Sequence, residues 1–532
     1  MGRNMKKLLK ITAAVTIFFI ALFAGSYPAE AASGQMVRVK LSVSSTSVSI
    51  KVGGAYHIDG GADIPTGSYK VSVSGSKVRI KGGSVDKTVN SPLKLVRDEK
   101  SVNTKNISVS GTKYGTVNYL GDMSFYVSSG KIMTVNTLPV EHYLYGVVAY
   151  EMSNSFPLEA LKAQAVCARG YVVKALSSSG TYDIGDTSSD QVYRGYNSSY
   201  GNVIKAVDET RNQVLMYDNK TATTYFSASN GGQTELPGNA WGGGSSKNKT
   251  YPYLAQRDDP YDLENTSSLE QTIFVPSDVK NSKEAAKESS GIFAYSNSVL
   301  SDLQVQAKAA LSKKGVTVSD SKNIEIVAVN SLKNGKERWE GTGSRSYVTA
   351  KAEITVQYYA KGSNKKSDAV KLNVTLQLMK SSGGSYVLAH DYLNSNLRLR
   401  GIESAKGGYN VIARRYGHGV GMSQRGAQTM AKQYKKTYKE ILAFYFKGTK
   451  LSNAPDTPDS DSSSAAVMYG DVDMDGKISM TDLLLVHKGL LNLKKLSDAQ
   501  RTAADVNRDG SVTMSDLLGI HKHLLNIQKI SQ

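Results

Sequence analysis

Glu141-His-Tyr-Leu-Tyr-Gly-Val-Val-Ala-Tyr-Glu151-Met152, followed from Ser155-Phe156-Pro157 by an alanine-rich run to about Leu176, decides how this chain is read. In a helix over the first segment, Leu144, Val147, Val148 and Glu151 fall at i, i+3, i+4 and i+7 and share one face. A carboxyl group therefore points the same way as three core residues. It also sits near the helix C-terminus, where the macrodipole disfavours negative charge. Desolvation and dipole both raise a carboxyl pKa, which is what a general acid for a glycosidic oxygen needs. Periodicity alone leaves a second reading open, a glutamate at a domain seam paired with an arginine. In the following segment Leu158, Leu161, Ala165, Ala168, Val172 and Leu176 step by three and four, and Ala160, Ala163 and Ala165 permit close packing.

Working outward, residues 32–130 read as β-structure. Val37, Val39, Leu41 and Val43 alternate, as do Val48, Ile50 and Val52, with Gly and Ser turns between. Residues 131–180 switch to helical period, and 181–262 return to short strands with Gly-rich turns. Residues 263–395 read as an insertion containing a helix at about 297–314, and 396–450 hold a Gly-rich turn and a further helix. A Ser, Asp and Pro-rich linker covers 451–467. The expected class is α+β: a mixed body with a β-rich N-terminal region and Ala-rich helices, then a small all-α module.

The 532 residues exceed one compact core, and 40% apolar content argues against wholesale disorder. Arg3, Lys6, Lys7 and Lys10, the apolar run Ile11 to Phe23, and Ala29-Glu30-Ala31 read as a secretory signal peptide over residues 1–31. Its removal reduces the formal charge from +19 to about +16, and residues 468 onward are neutral, so the excess lies on the body. A basic exported chain points to an acidic polymer such as teichoic acid or peptidoglycan, and away from nucleic acid. Cys167 is the only cysteine, which excludes an intrachain disulfide and a cysteine zinc cluster.

Further blocks extend the first one: Gln191-Val-Tyr-Arg-Gly195, Tyr225-Phe-Ser-Ala-Ser-Asn-Gly-Gly-Gln-Thr-Glu235 with Trp241-Gly242, and Gly417-His418-Gly-Val-Gly-Met-Ser-Gln424-Arg-Gly-Ala-Gln-Thr-Met-Ala431. Together they resemble the sporulation stage II protein D family, which also includes amidase-enhancer proteins. The resemblance covers about 130–262 and 396–450, and implies a catalytic domain over 131–450. Two positions depart from the family pattern, Ser153 after Glu-Met and Arg425 in the last motif. The resemblance implies a lytic transglycosylase acting on peptidoglycan glycan strands, with Glu151 as catalytic acid and no cofactor in the catalytic domain. The substrate-binding candidates are His418, Ser423, Gln424, Tyr225, Ser227, Ser229, Gln191 and Arg194, with Arg169 a further wall contact.

In the tail, Asp471-Val-Asp-Met-Asp-Gly-Lys-Ile-Ser-Met-Thr-Asp482 and Asp505-Val-Asn-Arg-Asp-Gly-Ser-Val-Thr-Met-Ser-Asp516 lie 34 residues apart. Extended through Asn492 and Asn526 they agree at 13 of 22 positions, a duplication that chance does not supply. Asp471, Asp473, Asp475, Ser479 and Asp482, with the Lys477 carbonyl, match an EF-hand-like calcium loop; Asp505, Asn507, Asp509, Thr513 and Asp516, with the Ser511 carbonyl, match a second. An apolar helix follows each loop. This loop-helix duplication over 468–528 resembles the type I dockerin. It implies two Ca²⁺ ions and a cohesin-bearing partner met through Met480, Thr481, Met514, Ser515, Lys488 and Lys522.

Three functions compete on the sequence: a secreted, cell-wall-associated transglycosylase, a non-catalytic wall-binding modulator of an amidase, and a dockerin-borne glycosidase for plant glycans.

Overall fold

The computed structural model describes residues 35–454 except 99–101, 178, 281–292, 383–384 and 390–391. In the tail it describes 468–473, 478–491, 493, 496, 498–509, 511–525, 527 and 529–530. The signal peptide, nearly all of the linker, Asp475 and Lys477 lie outside the described residues. Among the described residues, no helix is long and apolar enough to cross a membrane. The chain divides into two compact units, the body and the tail. Both helices and strands contribute, as an α+β class requires.

The N-terminal β-region is two facing antiparallel sheets, one of seven strands with a short parallel edge pairing and one of six. The alternation in Met36–Ser45 and Ser47–Val52 puts Val37, Val39, Leu41, Val43, Val48, Ile50 and Val52 into one core while Lys40, Ser49 and Lys51 face solvent. The region extends beyond 130. Lys131–Pro139 is a strand rather than a helix, paired antiparallel with Met36–Ser45 from Met36↔Pro139 onward. The β-branched run in Ile132 to Thr137 favours extended backbone, so helical period starts only at Val140.

There the chain turns at Pro139 into helix α1 (Val140–Glu151). Pro suits a position whose N–H a helix could not use. Helix α2 (Leu158–Ala175) likewise follows Pro157, and its Ala160, Ala163, Ala165 and Ala168 are fully buried. That small-residue face lets α2 pack against α1, helix α3 (Gly201–Glu209) and two helices of the last motif.

The insert is larger than the sequence suggests. Strand Gln271–Pro276 pairs with Gly408–Tyr416, which pairs with Leu397–Ala405, so residues 397–416 belong to it. Helix α4 (Phe293–Lys313) and the sheet of Ile324–Asn334, Thr349–Tyr358 and Val370–Gln377 complete a second hydrophobic core. The chain returns to the first core at Gly417 and forms α5 (Gln424–Lys432) and α6 (Tyr438–Tyr445). Lys450–Asn453, the expected start of the linker, instead pairs with Gln213–Tyr217.

The tail has its own small core of Val472, Leu485, Val486, Leu496, Ala504 and Ile520. Its two matching helices, α7 (Met480–Leu490) and α8 (Met514–Leu524), pack on each other.

Candidate active site

Leu144, Val147 and Val148 are fully buried, and Glu151 ends α1 on the same face, half-buried. The Val192 N–H donates to Glu151 Oε1 at 2.9 Å, and the Gln424 amide approaches Oε2 at 3.5 Å. Burial raises the Glu151 pKa above the ordinary carboxyl value, and the two donors only partly oppose it. Glu151 makes no ion pair among the described residues.

The seam glutamate paired with arginine does exist, ten residues earlier. Glu141 takes a bidentate pair from Arg169, 2.8 Å to Nε and 2.7 Å to NH2, and accepts the Asn212 N–H at 3.0 Å. Arg169 is 1% exposed. It is therefore a structural cation that ties α2 to α1 and cannot reach the wall.

Loop 191–195 presents the donor to Glu151. It lies on α1 where Gly146 leaves room: a Cβ there would meet the Gly195 carbonyl oxygen at 2.2 Å. The Arg194 N–H bonds the Gly146 carbonyl at 3.0 Å. Gln191, expected to touch sugar, is fully buried. Its amide donates to the Ala168 carbonyl and its oxygen accepts from the Tyr143 hydroxyl, because the loop needs a polar anchor beneath it. Arg194 instead faces outward, its guanidinium 4.3 Å from the Tyr114 ring centre and 5.0 Å from that of Tyr150. These three residues, with Thr104, Asn118 and Tyr196, line a groove of about 390 Å³. Tyr150 adjoins Glu151 in sequence. The Tyr114 phenol is pushed up by burial first and then by Asp186, with the Glu151 charge a smaller contributor. Nothing in the spacing of Tyr114 or Tyr150 marks them in advance.

The turn at 417–421 immediately precedes the short strand Met422–Ser423 and α5, which carries Gln424. Gly417, Gly419 and Gly421 all have positive φ. At Gly421 a Cβ would lie 2.1 Å from the Tyr225 carbonyl oxygen, and at Gly419 one would strike the Arg415 side chain at 2.6 Å. Arg415 is itself buried and paired with Glu235 at 2.8 Å. His418 accepts the Val420 N–H on Nδ1 at 3.0 Å, with the Phe226 carbonyl a second main-chain partner. Burial, helped by Arg415, lowers its pKa to about 4, so it is a neutral imidazole. Its ring stands 5.0 Å from Trp241 and 6.2 Å from Tyr225, which is 4.6 Å from Trp241. Trp241 is 41% exposed. The rings are tilted on one another, and exposed Trp241 offers the apolar ring face, of the kind that sugar rings stack on.

Three expected sugar contacts serve the framework instead. Ser423 caps α5, accepting the Gly426 N–H while donating to Asp262 at 2.6 Å; Ser229 donates to Asp262 at 2.8 Å; Ser227 accepts the Gly419 N–H. All three are buried, since the motif must close its own turns. Buried Asp259, held by Asn230 and Tyr445, and Asp262 form the acidic centre of this network, which the sequence reading missed.

In the tail, ligand atoms of Asp471, Asp473 and Asp482 lie within 4.8 Å of one another. The Asp482 carboxylate accepts N–H groups of Val472, Asp473 and Ser479. Asp516 repeats this with Asn507 and Thr513. Three converging carboxylates fit a hard divalent cation. Met480 and Met514 are each 65% exposed, Thr481, Ser515 and Lys488 are exposed, and Lys522 is half-buried.

Residues 128–217, which contain α1, Glu151 and loop 191–195, match the family model of the stage II sporulation protein, and residues 469–525 match the dockerin type I domain. The chain carries a stage II sporulation protein D domain and a type I dockerin domain. It is 30% identical to the amidase enhancer of Bacillus subtilis over 393 residues, 73% of this chain but 50% of that protein. It is 25% identical to stage II sporulation protein D of the same organism over 338 residues, covering 60% of this chain and 76% of that one. The corresponding protein of Bacillus amyloliquefaciens is also 25% identical, over 339 residues. The chain is thus a cell-wall-related protein, and its tail belongs to a domain type that generally binds calcium.

Proposed function

We propose that this protein is a secreted lytic transglycosylase of peptidoglycan glycan strands. The observation that carries the reading is the Glu151 carboxyl, half-buried, next in sequence to the groove-lining Tyr150 and reached only by two neutral donors among the described residues. A carboxyl that keeps its proton can protonate the oxygen leaving a muramic acid unit. The resulting carboxylate, steadied by the Val192 N–H and the Gln424 amide, then accepts the proton of the same sugar's C6 hydroxyl as that oxygen closes on C1. One acid serves both steps, and no water need be activated. The tyrosine-lined groove and the Trp241–His418–Tyr225 cluster would provide surfaces for a linear glycan. The tail would hold two calcium ions and dock the enzyme to a cohesin-bearing protein through the faces of α7 and α8.

The test is digestion of purified sacculi, with product ends assigned by mass spectrometry. Wild type should release anhydro-muramyl ends and Glu151→Gln should release none. Reducing ends, or unchanged release by the variant, would sink the proposal. A second reading, a non-catalytic modulator of an amidase, rests on the amidase enhancer relative. It requires Glu151→Gln to stimulate a partner amidase as well as wild type does.

A further inference from the structure

The insert carries an unbalanced group of arginines. In its hairpin, the pairs Leu397↔Tyr416 and Leu399↔Arg414 bracket Arg398 opposite Arg415, and Arg400 follows two residues along the same face, opposite Ala413. The segment of Arg338 lies alongside: the Arg338 N–H bonds the Ser346 carbonyl, and the Tyr347 N–H bonds the Arg400 carbonyl. Like charges placed this way across a ribbon repel. Arg415 is paired with the buried Glu235 carboxylate.

Arg400 is 3% exposed, yet its NH1 and NH2 donate only to the carbonyls of Arg398 and Asn394, at 3.1 and 3.2 Å. The Nε groups of Arg400 and Arg415 are buried without a hydrogen-bond partner. Among the described residues no carboxylate pairs with Arg398 or Arg400. Burial, then Arg398, Arg338 and Arg415, lower the Arg400 pKa to about 10. A buried cation without a counter-charge is strongly unfavourable. Toward solvent the group continues as exposed Arg398 and as Arg338, whose guanidinium stacks 4.3 Å from the Trp339 ring centre.

We propose that Arg338, Arg398, Arg400 and Arg415 form an oxyanion site that takes a phosphate group. Several guanidinium groups carried on adjacent backbone segments, each close enough to act on the Arg400 charge, suit a tetrahedral oxyanion with acceptors on every side. The phosphate comes either from the phosphodiester backbone of an anionic wall polymer or from solution. The site requires neither Glu151 nor catalysis.

The full chain, dialysed into phosphate-free buffer of low ionic strength, is titrated calorimetrically with inorganic phosphate and separately with poly(glycerol phosphate). Saturable binding of either is expected: binding of the polymer alone assigns the wall source, and binding of inorganic phosphate assigns the free one. Arg398→Ala, an exposed change, should weaken binding by about tenfold, the worth of one charged hydrogen bond. Arg400→Met should abolish it and raise the melting temperature in phosphate-free buffer, because an uncompensated charge leaves the interior. If that variant fails to fold, Arg398→Ala decides. No saturable binding of either probe, equal affinity in Arg398→Ala, or a less stable Arg400→Met that still binds phosphate would overturn the site. Attraction by net charge alone gives the equal-affinity result.

Discussion

Glu151 and Gln424 meet across 273 residues of sequence, the amide of one 3.5 Å from the carboxyl oxygen of the other. One belongs to the last turn of α1 and the other to the first turn of α5, so the site exists only when the chain closes after the insert. The amide favours the ionised carboxyl. Gln424→Leu should therefore raise the Glu151 pKa and move the alkaline limb of the pH–rate profile upward by less than about one unit. A limb that moves down would contradict this arrangement.

The Glu151 shift also fixes a sign for stability. A carboxyl whose folded pKa lies above its unfolded value stabilises the protein fully below the unfolded value and loses that contribution as pH rises through the folded one. Asp259 behaves likewise, raised to about 6 chiefly by burial. The body should lose at most about 3 kcal/mol from this residue between pH 4 and 7. Urea midpoints at the two pH values should show the loss, and Asp259→Asn should flatten it.

Breaking the Glu141–Arg169 pair on one side leaves a buried charge alone. Arg169→Met should cost about 3–5 kcal/mol, whereas Glu141→Leu with Arg169→Met should restore most of it. A double-mutant cycle by denaturant unfolding measures the coupling. A double-variant cost equal to the sum of the two single costs would mean that the pair is not coupled.

Gly146→Ala pushes a methyl into the Gly195 carbonyl and the Tyr193 ring. The loop must lift, taking the Val192 donor from Glu151. Turnover should fall at least about tenfold if one charge-directed hydrogen bond to the acid is lost. Unchanged turnover would show that this donor does not matter.

Chelation should unfold residues 468–528 and leave the body intact, because the tail's own core is small, six buried residues among those described. Calorimetry with and without EDTA should separate two transitions, and Asp482→Ala with Asp516→Ala should mimic the chelator. One transition indifferent to EDTA would contradict it.

Much of this was legible because periodicity records burial. The alternation of Val37 to Val43 gave a strand, and the three- and four-residue steps around Leu144 and Leu161 gave α1 and α2. What periodicity does not record is partnership. It could not say which of two glutamates on α1 takes the arginine, since Glu141 and Glu151 differ only in what distant segments bring to them. The serines failed for a related reason. A hydroxyl in a Gly-rich motif is as useful for closing the turn as for holding a ligand, and Asp262, which claims Ser229 and Ser423, lies 33 and 161 residues away. The end of the insert was misplaced because residues 397–416 have ordinary strand character, and only their pairing with Gln271–Pro276 reveals which core they serve.

The strand Lys131–Pro139 passes into α1 with no intervening residue, so the sandwich and the acid share one continuous backbone. Deleting residues 35–130 to obtain a minimal fragment would strip that strand of both neighbours and leave α1 hanging from an unpaired ribbon. Anyone trimming this protein for crystallisation or engineering should make the N-terminal cut before Gln35, whose carbonyl accepts the first N–H of α1.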